Sequence, residues 1–166
     1  KDPRSFYNSL KKASWGFDFK NIYYPCKRFE HLNEYIYEVE ERLNKGTLLD
    51  PKSIGLLWNI LHKHMYYLSK FKNFKLIKYE DICEDPVLYL DELAVFATNK
   101  KLSKKIKHRI FHEQIKRANK SNRIHMIRHE NAKEISKLWR SQLNKNELIE
   151  IEKKCDKILN SLNYNL

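Results

Sequence analysis

Glycine and proline are scarce in this 166-residue chain, three of the first and four of the second. Turns that need a positive φ or a preset φ depend on these residues, so their scarcity argues for long helices and few tight hairpins. Cysteine is as sparse. Cys26, Cys83 and Cys155 show no C-x-x-C or Cys/His spacing that would suggest a zinc site. Their odd number permits one disulfide beside a free thiol, or three buried thiols. No apolar run reaches the ~20 residues of a membrane span, and no signal peptide is visible. The sequence starts at Lys1 and not at methionine, which leaves room for a leader or anchor ahead of it.

Negative charge is also in deficit. Lys and Arg number 33 against 21 Asp and Glu, a net charge of +12, which favours acidic partners: nucleotides, nucleic acids, sulfated or phosphorylated polymers, anionic membranes. At 42% hydrophobic residues, with ten Tyr, eight Phe and three Trp, the chain is no disordered polyelectrolyte. Its length suits one domain, or a large part of one.

Periodicity gives the outline. Residues 3–12 read as a short helix, with Asp2 as its cap and Pro3 in its first turn. Residues 13–28 are aromatic-rich and broken by Gly16 and Pro25, which reads as a loop. Leu32, Ile36, Val39 and Leu43 place a helix over Glu30–Asn44, closed at Lys45-Gly46. The next helix begins at Asp50-Pro51 or Ser53 and runs to about Lys70, with Ile54, Leu57, Leu61, Met65 and Leu68 as its apolar side. FKLIKY, residues 74–79, alternates apolar and basic residues and is the only convincing strand. Asp85 and Pro86 then cap and start a helix bearing Val87, Leu90, Leu93, Ala94 and Ala97. The basic stretch 99–138 suggests one or two helices with a loop near 119–130. Asn144 and Glu147 have capping-box spacing before a helix carrying Leu148, Ile151, Cys155, Ile158 and Leu162.

Taken singly, the chemical features are weak. KDPRSFYNS gathers Lys1, Arg4 and a helix N-terminus at one point, which attracts an anion such as phosphate, with Ser9 two turns on from Asp2. YEDICEDP puts Tyr79, Glu80 and Asp81 after the expected strand. The seven histidines form no HExxH or other metal motif. The lysines at 100, 101, 104, 105 and 107 make a basic face, and Trp15, Trp58 and Trp139 suit core or interface anchors.

Their order along the chain is more specific. LIKYEDICEDPVLYLDELAVFA, 76–97, resembles a hallmark of sulfotransferases: a strand, Tyr-Glu-Asp, a turn with Asp-Pro, then an amphipathic helix. KDPRSFYNS resembles the family's segment for the 3′-phosphate of the nucleotide, usually RDPRA followed by a serine. KLWRSQLNKNELIEIEKKCDKILNSLNYNL resembles the C-terminal stretch, with Trp-Arg, a helix containing Cys and a closing tyrosine. The Asp-Pro-Arg form and the Cys-helix-Tyr ending are closer to the carbohydrate sulfotransferases of the Golgi than to the small cytosolic ones.

The resemblance implies a P-loop-like α/β fold, of which residues 1–166 form the C-terminal part of a single domain, mainly helical with one clear strand. It implies transfer of a sulfuryl group from PAPS (3′-phosphoadenosine 5′-phosphosulfate) to a carbohydrate hydroxyl, without a metal. The acceptor would be a glycan or glycoprotein, and the aromatic loop at 15–24 would offer a sugar-stacking surface. The intact parent would be a type II membrane protein of the Golgi lumen, a setting that the sequon Asn119-Lys120-Ser121 fits. Lys1 and Ser9 stand at the family's 3′-phosphate contacts, Lys1 where arginine is usual. Arg4 either joins them or braces the loop, and Tyr79 lies beside the nucleotide in relatives. Arg128 and Lys133 are candidates in the basic segment that closes over it. No Gly-rich turn for the 5′-phosphosulfate follows any expected strand, and no residue here is identified as catalytic. The fragment alone is therefore expected not to turn over. A rival reading, a basic all-helical module for nucleic acid, anionic lipid or an acidic protein, explains charge and helicity but not the order of the motifs.

Overall fold

A computed structural model describes residues 1–117, 132–162 and 164. Its elements are α1 (Pro3–Ala13), β1 (Phe17–Asp18), α2 (Lys20–Arg28), a 3₁₀ segment (Glu30–Tyr35), α3 (Ile36–Glu40), β2 (Thr47–Leu48) and α4 (Pro51–Leu68). There follow α5 (Tyr79–Glu84), α6 (Pro86–Thr98), α7 (Lys104–Arg117), α8 (Ala132–Lys137), α9 (Trp139–Gln142) and α10 (Lys145–Ser161). The chain divides into two compact units. One comprises Asp2–Phe74 with the C-terminal stretch from Ser141, the other Lys1 with Lys75–Arg140.

The first unit is organised around α4, which packs most extensively on α10. Asp50 caps α4 by accepting the Ser53 N–H at 2.9 Å, with Pro51 in the first turn. The expected one-sided stripe is corrected: every residue from Ser53 to Ile60 is buried, while Leu61 is 40% exposed. A helix covered all round needs apolar or small residues all round. Leu56, Leu57 and Ile60 meet Phe19, Ile22, Leu32 and Val39 in the core cluster, while Gly55 faces α10. A Cβ at Gly55 would stand 3.0 Å from Lys154 Cγ and 3.4 Å from Cys155 Sγ, so its absence permits the close approach of the two helices.

α10 carries the expected capping box: the Glu147 N–H donates to Asn144 Oδ1 at 3.0 Å and the Asn144 N–H to Glu147 Oε2 at 3.0 Å. It buries Ile151, Cys155, Ile158 and Leu159. Beyond it Tyr164 returns to the core, its ring edge-on to Trp58 at 6.2 Å. Asn163, expected in the closing turn, lies outside the described residues.

The stretch 13–28 is not the loop expected. Gly16 lets β1 come close to β2, for a Cβ there would lie 2.6 Å from Thr47 Cγ2 and 2.8 Å from the Leu48 carbonyl oxygen. The antiparallel pair aligns Phe17 with Leu48 and Asp18 with Thr47. Pro25 stands inside α2, where the burial of Ile22 and Cys26 outweighs one lost backbone hydrogen bond. Over 30–44 the helix is also corrected. Its first part is 3₁₀, whose three-residue turn brings Leu32 and Tyr35 to the same buried side.

In the second unit, the strand expected at FKLIKY does not form: residues 75–78 are irregular and Tyr79 opens α5. A strand requires a neighbour for its ladder, and the β1–β2 pair is the only sheet among the described residues. Asp85 caps α6 by accepting the Leu88 N–H at 2.9 Å. None of the residues of α6 is fully buried, so the expected apolar stripe is at most half-covered. The loop expected near 119–130 lies outside the described residues. All three cysteines are buried free thiols, which resolves the disulfide alternatives. No described helix is long and apolar enough to cross a membrane.

Candidate functional site

The opening motif folds into the first turn of α1. Asp2 caps it, its Oδ1 accepting the Arg4 N–H at 2.8 Å. The same carboxylate receives the Arg4 side chain, Nε to Oδ1 at 3.0 Å and Nη2 to Oδ2 at 2.7 Å. Arg4 Nη1 reaches α10 and donates to Glu152 Oε1 at 2.9 Å. Arg4 is only 2% exposed. Burial disfavours its charge, but the hydrogen bonds and charges of Asp2 and Glu152 outweigh it and hold its pKa above the ordinary value. Of the two roles open to Arg4 in the sequence, this is bracing geometry.

The rest of α1 is held by the same partner helix and the residues just before it. The Tyr7 hydroxyl and the Lys11 ammonium donate to Glu147 Oε1 at 3.0 and 2.6 Å, and Asn8 Nδ2 donates to Gln142 Oε1 at 2.8 Å. Burial pushes the Glu147 carboxyl up, but Lys11, the Asn144 N–H and Tyr7 together bring it below its usual value. Ser9 is exposed and its hydroxyl donates to the Ser5 carbonyl at 2.9 Å, the back-bond usual for a helical serine.

The second unit brings Lys1 and Tyr79 together. The Lys1 ammonium stands 5.4 Å from the Tyr79 ring centroid. Burial lowers the Lys1 pKa, while Glu80 and Cys83 pull against it. Burial likewise pushes the Tyr79 hydroxyl up to about 12, helped by its hydrogen bond with Cys83 and by Glu80. Tyr79 therefore stays neutral and offers Lys1 a ring face. Glu80 and Asp81 occupy the first turn of α5, not a turn following a strand. α8 packs on α5, and Lys133 lies in α8 with its side chain outside the described residues. Arg128 lies outside them altogether. Among the described residues, no three His, Cys, Asp or Glu groups converge as they would around a metal ion.

Three partners of the motif went unread in the sequence. Glu152 lies 148 positions from Arg4, Gln142 lies 134 from Asn8, and Glu147 was visible only as half of a capping box. No local signal marks such pairs.

Two stability measurements follow from this geometry. Arg4→Met removes the guanidinium hydrogen-bonded to the buried Asp2 carboxylate and should cost about 3–5 kcal/mol in urea denaturation, whereas Glu152→Gln, at a half-exposed carboxylate, should cost about 1 kcal/mol or less. The depressed Glu147 pKa supplies stability that is complete above its unfolded value of about 4.3 and is lost as pH falls through the lower folded value. Urea midpoints should therefore decline between about pH 5 and 3, and Glu147→Gln should flatten that decline.

Comparison with known proteins adds the family. Residues 16–162 match the family model of the sulfotransferase domain. No curated protein and no solved structure matches the chain. The matched span takes in the β1–β2 pair, α4, the Tyr-Glu-Asp segment and α10, and it begins after KDPRSFYNS. Members of this family generally use PAPS as sulfate donor. A match covering most of the chain, from Gly16 to the end of the Cys155 helix, makes this protein a member of the sulfotransferase family.

Proposed function

We propose that the chain reads the 3′-phosphate of PAPS in transfer of a sulfuryl group to a carbohydrate hydroxyl. The acceptor is then a glycan or glycoprotein. The intact enzyme has the P-loop-like α/β fold and sits in the Golgi lumen on a type II anchor. Family membership supports the transfer chemistry, and resemblance of the motifs supports the donor, acceptor and location.

One observation carries the phosphate assignment. The Asp2 carboxylate at the start of α1 would repel a phosphate, but its charge is matched by the Arg4 guanidinium at 2.7 Å. The first turn thus keeps its cap while a guanidinium offsets the charge of the capping carboxylate. Lys1, the residue before it, supplies the cation, and the helix dipole favours an anion at the same end. Ser9 supplies a hydroxyl on the exposed side of α1. Lysine gives a point charge where the usual arginine gives a two-pronged contact. These residues bind the nucleotide and take no part in proton transfer.

Calorimetric titration with adenosine 3′,5′-bisphosphate tests it. The bisphosphate should bind more tightly than AMP. Lys1→Ala should weaken it roughly 10- to 100-fold, the worth of a charge-assisted hydrogen bond, and leave AMP unchanged, while Lys1→Arg should tighten it. Equal affinity for both nucleotides, with salt-sensitive binding to mixed-sequence RNA, would instead favour the basic helical module.

A further inference from the structure

Two pairs of histidines meet among the described residues, each with ring nitrogens 2.8 Å apart: His31 Nε2 with His64 Nδ1, and His108 Nε2 with His112 Nε2. The ring centroids tell the pairs apart. In the first, the rings are 11° from parallel and their centroids are 5.1 Å apart. Their nitrogens then face each other along one line, which suits a hydrogen bond and leaves no room for an atom between them. In the second, the centroids close to 4.0 Å and the rings are inclined by 49°. Rings this close at the same nitrogen separation must lean, with both nitrogens off the line between the centroids.

His108 and His112 stand one turn apart on α7, so both side chains leave the same face, and both are exposed. Their Nε2 atoms are the outer tips of the rings, and the lean directs these tips toward one point in solvent. Two nitrogens each about 2.0 Å from one ion are about 2.8 Å apart where the bonds meet at a right angle, and about 3.3 Å at the tetrahedral angle. The observed 2.8 Å matches the right angle, which square-planar and tetragonal ions prefer. Cu²⁺ and Ni²⁺ are such ions and accept imidazole, and Cu²⁺ binds most tightly of the first-row divalent series. The lysines at 104, 105 and 107 repel any cation, yet they decide against Mg²⁺ and Ca²⁺ first, which require oxygen ligands. Lys107 is moreover paired with Asp91 at 2.6 Å.

We propose that His108 and His112 chelate a divalent transition ion of the copper–nickel class, with water in its remaining positions. The site lies within the Lys75–Arg140 unit and stands independently of the nucleotide reading.

Titration of the full chain with CuCl₂, followed by calorimetry and electron paramagnetic resonance, tests the inference without any nucleotide. His129→Ala serves as the background, because His125 and His129 repeat the four-residue spacing outside the described residues. Cu²⁺ should fill one tight site whose spin-echo modulation reports two imidazoles. Ni²⁺ should bind there more weakly and Mg²⁺ not at all. His108→Ala and His112→Ala, at exposed positions, should each weaken Cu²⁺ about 10-fold or more, since even a supporting contact of a metal ligand is worth that much. Each should also reduce the modulation to one imidazole, with the fold verified by circular dichroism. His64→Ala should leave the tight site unchanged. No tight copper site, modulation from one imidazole in the His129→Ala background, unaltered affinity in either single variant, or loss of the site in folded His64→Ala would overturn the proposal.

Discussion

A buried guanidinium between two carboxylates ties the opening motif to the helix near the other end of the chain. Arg4 is removed from water, and Asp2 and Glu152 supply hydrogen bonds that make this tolerable. Asp2 has a second task, since one of its oxygens also caps α1. The cap, the charge balance at the helix N-terminus and the docking of α1 on α10 are thus one interaction. The Tyr7–Glu147–Lys11 contacts extend it by two turns, and they run through the carboxylate that also closes the capping box of α10.

α10 can serve this purpose because α4 admits it closely. Gly55 gives up its side chain where Lys154 and Cys155 arrive, and the Cys155 thiol lies 3.6 Å from the Gly55 carbonyl oxygen. Burial pushes that thiol up to about 12, so it packs as a small apolar group with no nucleophilic character. The Cys-helix-Tyr ending that resembles sulfotransferases thereby acquires a physical meaning. The cysteine fits beneath Gly55 and the tyrosine closes on Trp58. Both residues set the helix that presents Glu147 and Glu152 to the opening motif.

The sequence was most legible where a residue acts on its near neighbours. Asp2, Asp50, Asp85 and Asn144 each cap a helix through an N–H two or three residues on, and all are visible as local patterns. It was least legible where packing overrides propensity. Pro25 reads as a breaker yet sits in α2, and FKLIKY alternates like a strand yet has no ladder to join. For the proposed site, the motifs name Lys1, Arg4, Ser9 and Tyr79 as candidates. They do not name the surroundings: Glu152 and Gln142 are too distant in sequence to leave a pattern. The family match begins at Gly16, so the opening motif rests on its own residues and their geometry.

Phosphorus NMR of adenosine 3′,5′-bisphosphate titrated with the chain is the most direct test, because its two phosphates resonate separately. The 3′ resonance should shift and broaden while the 5′ resonance stays near its free position, and Lys1→Ala should remove the effect. A response centred on the 5′-phosphate, or one that survives Lys1→Ala intact, would contradict it.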